Sequence, residues 1–171
     1  MELIDADAHL DCVKEIVSAA NRYVIFLSPF WCLGDRDFDI HDFDEVFENA
    51  LKRGVRILLL CGSNQLNLLR EYYRNLYSKY DRRCSVFYID VKSDTNGVYV
   101  SDFHAKLYMN EKSVLVTSRN ISGFKSKSID LGILVSEACV IEDIISWLTR
   151  LFLEAKSNSY LRKFFKIALY E

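Results

Sequence analysis

Apolar and polar positions follow a helical spacing in five segments of the chain. In residues 8–21 the apolar side chains recur every three or four positions, which predicts an amphipathic helix. A second helix is predicted to begin after Asp42, a capping residue, and to end at Gly54. The same spacing predicts helices over residues 66–80, 142–155 and 160–169.

Between these helices lie short segments that are rich in β-branched, aromatic and other apolar residues. They predict six strands: Tyr23–Ser28, Val55–Cys61, Cys84–Val91, Phe103–Met109, Ser113–Ser118 and Ile129–Ser136. Strands that alternate with helices, and that are apolar throughout, are typical of an α/β domain whose sheet is covered on both faces. We therefore expect a mixed β-sheet covered by helices. No repeat or linker divides residues 1–171, so a single domain is predicted.

The charge balance limits the kind of partner. The chain has 171 residues, of which 50% are hydrophobic and 27% are charged, and its formal net charge is −2. A domain that binds nucleic acid strongly usually presents a basic surface. If the substrate is a nucleic acid, the positive charge must therefore be local.

The remaining composition indicates a cytoplasmic protein without a metal or cofactor. The first residues are acidic where a signal peptide would be basic, and no apolar run is long and uninterrupted enough to span a membrane. The five cysteines are widely scattered, which argues against a disulfide framework and favours buried thiols. With three histidines and no C-x-x-C pair, a zinc site of ordinary spacing is not expected.

The candidate chemistry lies in residues 104–120. In a strand, His104, Lys106 and Tyr108 point to one face. After a turn, the next strand carries Val114, Val116, Ser118 and Asn120 on one face. If the register matches those two faces, an imidazole, an ammonium, a hydroxyl and a carboxamide converge, and Asp130 on the following strand can join them.

These groups suit the transfer of a phosphodiester. An imidazole such as that of His104 can act as nucleophile or general acid. Lys106 and Asn120 can stabilise charge on the non-bridging oxygens of a five-coordinate phosphorus. Asp130 can fix the imidazole tautomer. The alternative is that the histidine and the lysine are simply polar residues on a solvated face of a strand.

The segment resembles the H-x-K-x₄-D…G-S-x-N signature of the phospholipase D superfamily. The matching residues are His104, Lys106, Ser118, Asn120 and, downstream, Asp130. The resemblance implies a nucleophilic histidine, a phosphate-binding lysine, a serine, an asparagine and an acid that orients the histidine. It also implies an α/β sandwich over essentially the whole chain. Ser28-Pro29-Phe30, which follows a strand, is similar to the segment that borders the active site in this family.

The sequence departs from the family pattern at several positions. Glu111 stands where Asp is usual, Thr117 where Gly is usual, and Asp130 where small nucleases of the family usually have Glu. The interval from Glu111 to Ser118 is also one residue shorter than in the commonest form. None of these changes removes a group that performs the chemistry.

The chain contains one H-x-K motif, whereas the enzymes of the family use two. His9 and His41 lack the following lysine. The resemblance therefore implies half a site per chain and a symmetric homodimer, in which one His104 attacks phosphorus and the other protonates the leaving oxygen.

The resemblance and the local charge favour a nucleic-acid substrate. Arg119, Lys125 and Lys127 form a basic cluster beside the motif that we expect to contact a phosphate backbone. The sequence thus predicts a metal-independent endonuclease acting on DNA or RNA. Two alternatives stay open: a phospholipid phosphodiesterase or phosphatidyltransferase, which the lack of a membrane element disfavours, and a non-catalytic nucleic-acid-binding module of the same fold.

Overall fold

The computed structural model describes residues 1–31, 41–62, 65–80, 83–88, 105–121 and 130–154. Its strands are β1 (Glu2–Asp5), β2 (Tyr23–Leu27), β3 (Arg56–Cys61), β4 (Cys84–Tyr88), β5 (Lys106–Asn110), β6 (Val114–Thr117) and β7 (Leu131–Val135). Its helices are α1 (His9–Ala19), α2 (His41–Lys52), α3 (Leu66–Tyr72), α4 (Arg74–Lys79) and α5 (Ala138–Glu154).

The strands form one mixed sheet in the order β1-β7-β6-β5-β2-β3-β4. β2, β3 and β4 are parallel, while β5, β6, β7 and β1 each run antiparallel to their neighbours. All five residues of β2 are buried, because helices cover both faces of the centre of the sheet. The predicted fold class, a mixed sheet covered by helices, is confirmed.

Two local features set where the helices begin and end. The Asp5 carboxylate accepts hydrogen bonds from the backbone N–H groups of Asp7 (3.0 Å) and Ala8 (2.9 Å), which closes the turn between β1 and α1. Gly54 has a φ of 91°, a conformation that side chains disfavour, and it directs the chain from the end of α2 into β3.

Each face of the sheet has its own hydrophobic core. On one face, α1, α2 and α3 pack around Phe26, whose ring lies 5.3 Å from both Phe47 and Tyr108 between centroids. On the other face, Ile141 and Leu148 of α5 pack against the sheet. The sheet residues of this second core are Tyr23, Ile25, Leu27, Leu58, Leu60, Leu107, Met109, Val114 and Val135.

The structure differs from the predicted elements in three places. β1 was not predicted, because a four-residue strand with acidic residues at both ends gives little periodic signal. The helix predicted over residues 66–80 is two helices, α3 and α4, that meet at Tyr73. α5 begins at Ala138, four residues earlier than predicted. The helix predicted over residues 160–169 lies outside the described residues.

The cysteines agree in part with the expectation of buried thiols. Cys12, Cys61 and Cys84 are buried, whereas Cys139 is exposed. Burial raises the pKa of the Cys61 thiol to about 12. Within the part of the chain that the structure describes, no helix is long and apolar enough to cross a membrane. The same residues contain no group of three or more His, Cys, Asp or Glu side chains placed to hold a metal ion.

Candidate active site

The strand order brings the candidate residues to one end of the sheet. β2 and β6 end there, while β5 and β7 begin there, because β5 is antiparallel to β2 and β6, and β7 is antiparallel to β6. Ser28 follows β2, Ser118 follows β6, Lys106 opens β5 and Asp130 precedes β7. We call this end of the sheet the site edge. Residues separated by up to about a hundred positions in the sequence thus become neighbours.

Ser118 and Asp130 are joined directly at the site edge. The Ser118 hydroxyl donates to Asp130 Oδ1 at 3.0 Å. The backbone N–H of Leu131 donates to Ser118 Oγ at 3.3 Å. Because the serine is held from both sides, it fixes the position of the carboxylate that the sequence singled out.

Asn120 lies beside the end of β2. The Ser28 hydroxyl, which is fully buried, donates to the carbonyl oxygen of Phe30 at 2.8 Å and lies 3.3 Å from Asn120 Oδ1. The N–H of Ile121 points to the same Ser28 Oγ at 3.4 Å, and a parallel bridge joins Ile121 to Trp31. These contacts hold the chain after β6 against the chain after β2, as the resemblance of Ser28-Pro29-Phe30 implies for a segment bordering the site.

Lys106 supplies a cation at this edge. It is half-buried at the first position of β5, next to Thr117 on β6. No hydrogen bond or ion pair to another described residue engages its ammonium group. A lysine on a rigid strand that keeps its donors available can bind an anion.

Arg119 is placed differently from the expectation of a surface contact. Its side chain is buried, and the guanidinium donates to the carbonyl oxygen of Ala6 at 2.5 Å. Its backbone N–H donates to Thr117 Oγ1, and its carbonyl oxygen accepts from the hydroxyl of Tyr108 at 3.0 Å. This placement favours a structural role in holding the turn after β6. The contact with a phosphate backbone stays a prediction.

The register of the β5–β6 hairpin corrects one expectation. Lys106 pairs with Thr117 and Leu107 pairs with Val116, so Val116 lies on the face opposite to Lys106. The expectation that the Val116 face matches the Lys106 face is therefore wrong. Ser118 nevertheless reaches the site edge, because it follows the last residue of β6 and the chain there no longer alternates as a strand does.

Two departures from the family pattern have structural explanations. The Glu111 carboxylate accepts from the backbone N–H groups of Asn21 (2.8 Å) and Arg22 (3.4 Å), at the end of the hairpin opposite to the site edge. Thr117 pairs with Gly132 on β7, where an added Cβ would meet Leu115 Cδ1 at 2.8 Å and Thr117 Cβ at 3.4 Å. The glycine leaves room first for Leu115 and then for the threonine beside it.

His9 is a site-edge residue that the motif did not reveal. It opens α1, is buried, and packs edge-on against Tyr108 with ring centroids 5.4 Å apart. Neither imidazole nitrogen has a hydrogen-bond partner within the described ranges. Burial, and then the charge of Arg119, lower the pKa of His9 to about 4, against the opposing effect of Asp130. The helical spacing of the buried residues Cys12, Val13, Ile16 and Val17 extends back to His9 and is the signal that could have identified it.

Three residues of the sequence-based site, His104, Lys125 and Lys127, lie outside the described residues. Their proposed roles stay predictions. The structure places Lys106, Ser118, Asn120 and Asp130, four of the five residues that match the signature, at the site edge, where Ser118 and Asp130 are in direct contact.

Comparison with known proteins identifies the fold. No protein-family model and no curated protein sequence matches the chain. Among solved structures, NucT from Helicobacter pylori matches with a TM-score of 0.69 and 14% identity, over 88% of this chain and 93% of NucT. Nuc from Salmonella typhimurium, a phospholipase D family member, matches with a TM-score of 0.58 and 10% identity, over 90% of this chain and 93% of Nuc.

A third match is to TrmBL2, an archaeal chromatin protein with a novel mode of DNA binding. It has a TM-score of 0.60 and 13% identity over 90% of this chain, which spans about half of TrmBL2 (52%). At these identities the matches establish the fold, a phospholipase D-like α/β sandwich. Nuc and NucT are both matched over 93% of their own lengths.

Proposed function

We propose that the chain is a metal-independent phosphodiesterase that cleaves DNA or RNA as a homodimer through a phosphohistidine on His104. The observation that carries the proposal is the placement of Lys106, Ser118, Asn120 and Asp130 at the same end of the sheet, with Ser118 bonded to Asp130. These are the residues that match the phospholipase D signature, and the fold is the one in which the Nuc protein is found. A solvated strand face would not require three separate segments of the chain to meet.

The mechanism assigns a role to each group. A nitrogen of His104 attacks phosphorus, and the bond from phosphorus to the leaving oxygen breaks. The partner's His104, which is protonated at this stage, transfers its proton to that oxygen. Water then attacks phosphorus, its proton passes to the partner's His104, and the nitrogen–phosphorus bond breaks to release the product.

The remaining residues stabilise the charge that develops on the phosphate or position the imidazole of His104. Lys106 and Asn120 stabilise the negative charge on the non-bridging oxygens in both steps, because a fixed cation and a fixed donor act strongly where water is excluded. Asp130, held by Ser118 at 3.0 Å, orients the imidazole of His104 so that one nitrogen faces phosphorus.

A nucleic acid is the favoured substrate for two reasons. The resemblance implies that small single-motif members act on nucleic acids, and the extent of the chain agrees with Nuc and NucT. Lys125 and Lys127 lie two positions apart in the sequence, shortly after Asn120, and they add positive charge for a polyanionic backbone.

The first experiment compares wild type with His104→Ala on labelled single-stranded DNA, duplex DNA and RNA, each with excess EDTA. Cleavage by wild type alone supports the proposal. Cleavage that EDTA abolishes contradicts the metal-independent mechanism, and equal cleavage by the variant excludes His104 as the nucleophile. Phosphatidyl substrates in vesicles, run in parallel, test the lipid alternative.

A mixing experiment tests whether two copies share one site. When wild type is mixed with increasing amounts of His104→Ala and the subunits are allowed to exchange, activity should fall with the square of the wild-type fraction. A linear fall would mean that each chain is active alone. The matched control is a mixture with Lys112→Met, whose lysine lies at the far end of β5 and contacts the Ala19 carbonyl oxygen.

The second candidate function is a non-catalytic nucleic-acid-binding module. The observation in its favour is the structural match to TrmBL2, a DNA-binding chromatin protein. Binding of the same labelled nucleic acids without turnover, equal in wild type and His104→Ala, would favour this function over the nuclease.

A further inference from the structure

Phe30 is an exposed aromatic residue at the site edge. It is 48% exposed, whereas both of its neighbours in the sequence, Pro29 and Trp31, are buried. A single exposed apolar residue is ordinary on a protein surface, so exposure alone is not evidence of function. What distinguishes Phe30 is how firmly its main chain is held and which groups lie beside it.

Hydrogen bonds fix the main chain around Phe30. Its carbonyl oxygen accepts from the Ser28 hydroxyl at 2.8 Å, and the carbonyl oxygen of Pro29 accepts from the Gly62 N–H at 3.1 Å. The indole N–H of Trp31 donates to the Ser28 carbonyl oxygen at 3.1 Å. Because the backbone that carries the phenyl ring is already ordered, a ligand that contacts the ring does not have to order it.

The groups beside Phe30 are those assigned to the phosphate. The same Ser28 hydroxyl lies 3.3 Å from Asn120 Oδ1, and the Asn120 amide is proposed to stabilise the non-bridging oxygens. In a nucleic acid each phosphate is joined through one sugar to a base. When Asn120 binds the phosphate, the adjoining base is therefore held near Phe30.

We propose that Phe30 is the stacking platform for the nucleobase that adjoins the cleaved phosphate. The inference rests on the proposed function, a nucleic-acid substrate at the site edge, and adds the residue that contacts the base. Base–aromatic stacking tolerates any sequence, because every base has a π-face. The ring accepts a base only where one face of that base is not stacked on its neighbour in the strand.

The surroundings of the ring fit a base better than a lipid chain. The described residues that adjoin the Phe30 main chain include Ser28 and Gly62, and the Asn120 amide lies beyond Ser28. A base has apolar faces and polar edges, so it matches an aromatic ring that is bordered by polar groups. An acyl chain gains affinity from a continuous apolar area instead.

The test measures binding of a labelled single-stranded oligonucleotide by fluorescence anisotropy, at fixed salt and with excess EDTA. The parent protein carries His104→Ala, so that binding is read without cleavage. Phe30→Ala should weaken binding by at least about tenfold, because the stacked base loses its aromatic partner. Phe30→Trp should bind as tightly as the parent protein, since it keeps an aromatic face.

Tyr77→Ala is the matched control. Tyr77 is an aromatic residue that is 40% exposed on α4, and α4 ends shortly before β4 begins. Because β4 runs parallel to β3 and β2, it begins at the end of the sheet opposite to the site edge. This variant should bind the oligonucleotide as the parent protein does.

An oligonucleotide of the same length that has the intact sugar–phosphate backbone but no bases separates stacking from a structural effect. The parent protein and Phe30→Ala should bind this abasic strand equally, because the ring has no base to contact. Circular dichroism shows whether each variant is folded. An equal loss of binding to the intact and the abasic strand overturns the inference, since Phe30 then acts through the shape of the site.

Other outcomes also overturn the inference. They are equal binding of the intact strand by the parent protein and Phe30→Ala, and binding of neither strand by the parent protein. A Phe30→Ala protein that loses binding to phosphatidylglycerol vesicles but keeps binding to the intact strand assigns the ring to lipid instead.

Failure of this inference is distinguishable from failure of the proposed function, because cleavage is measured separately with His104 in place. If Phe30→Ala binds and cleaves the intact strand as wild type does, the nuclease stands and the stacking platform fails. If binding depends on Phe30 and on the bases as expected but wild type cleaves no nucleic acid, the stacking platform stands and the nuclease fails.

Discussion

The two ends of the β5–β6 hairpin hold their polar residues in different ways. At the turn end, Asn110 is fully buried, its Nδ2 donates to the Ile16 carbonyl oxygen at 2.7 Å, and its Oδ1 accepts from the N–H groups of Lys112 and Ser113. At the site edge, Lys106 is half-buried, and its ammonium group bonds to no other described residue. At the turn end, main-chain groups satisfy the hydrogen bonds of the Asn110 side chain. At the site edge, the Lys106 ammonium keeps its donors available for a ligand.

Within one motif, the residues at the turn end stabilise the hairpin, and the residues at the site edge are those proposed for the chemistry. Glu111, the acid of the H-x-K-x₄-D-like signature, binds the backbone N–H groups of Asn21 and Arg22 at the turn end. Lys106 and Ser118 lie at the other end of the same strands. A sequence motif can therefore combine residues that anchor a hairpin with residues that are proposed to bind substrate.

The largest effect is expected when the site-edge cation is removed. Lys106→Met should lower the rate of nucleic-acid cleavage at least about a hundredfold, because the charge on the non-bridging oxygens loses its fixed counterion. Its free energy of unfolding should stay within about 0.5 kcal/mol of wild type, since the ammonium supports no described contact. Single-turnover cleavage and urea unfolding measure the two quantities.

Lys112→Met provides the comparison at the turn end. The cleavage rate of this variant should lie within about twofold of the wild-type rate, because position 112 is remote from the site edge. Equal losses of activity in the two variants would contradict the separation of the two ends.

The buried imidazole at the site edge gives the next largest effect. Unfolded His9 takes up a proton near its ordinary pKa of 6.5, whereas the folded protein binds that proton only near about 4. Between these two pKa values the unfolded state binds more protons than the folded state. The free energy of unfolding therefore decreases as the pH falls. Between about pH 7.5 and about pH 5 the loss from His9 alone should be about 2 kcal/mol in the free energy of unfolding.

His9→Phe and His9→Leu test this assignment. In both variants the pH dependence of denaturant unfolding between about pH 7.5 and about pH 5 should become flatter by that amount, whatever their stability at neutral pH. Glu48, whose pKa is lowered to about 2 by hydrogen bonds from Lys79 and Tyr80, titrates at lower pH and does not interfere. An unchanged pH dependence in both variants would show that His9 does not cause it.

The smallest effect is expected for the acid at the turn end. Glu111→Ala should lower the free energy of unfolding by about 1 kcal/mol, because two backbone N–H groups exchange an exposed carboxylate for water. The cleavage rate of the folded protein should be unchanged. A large loss of activity at full folding would place Glu111 in the chemistry and remove the distinction between the two ends.

The sequence predicted most elements because hydrophobic spacing reports which side of a segment avoids water. The helix over residues 8–21 and the strands at Tyr23–Ser28 and Val55–Cys61 agree with α1, β2 and β3 to within a few residues. β1 has too few residues to show a period, and its existence depends on pairing with β7. Tyr73, on the apolar stripe of the predicted helix, gave no signal for the break between α3 and α4.

The motif identified the residues of the candidate site but not their arrangement. Met109 pairs with Val114, and this short turn fixes Lys106 opposite Thr117; a turn one residue longer would invert the pairing of the faces. Spacing along the chain cannot decide between the two registers. The local charge pattern also predicts that Arg119 is a surface cation, whereas its guanidinium is buried against the Ala6 carbonyl oxygen.

The sequence by itself determined the fold class, the single H-x-K motif and the residue types that the proposed chemistry needs, because these depend on composition and local periodicity. Only the tertiary structure decided that Ser28, Asn120, Ser118 and Asp130 meet at one edge and that His9 is buried beside them. The physical reason is that such contacts are made between strands far apart in the sequence. Their geometry is set by sheet order and register rather than by any local pattern.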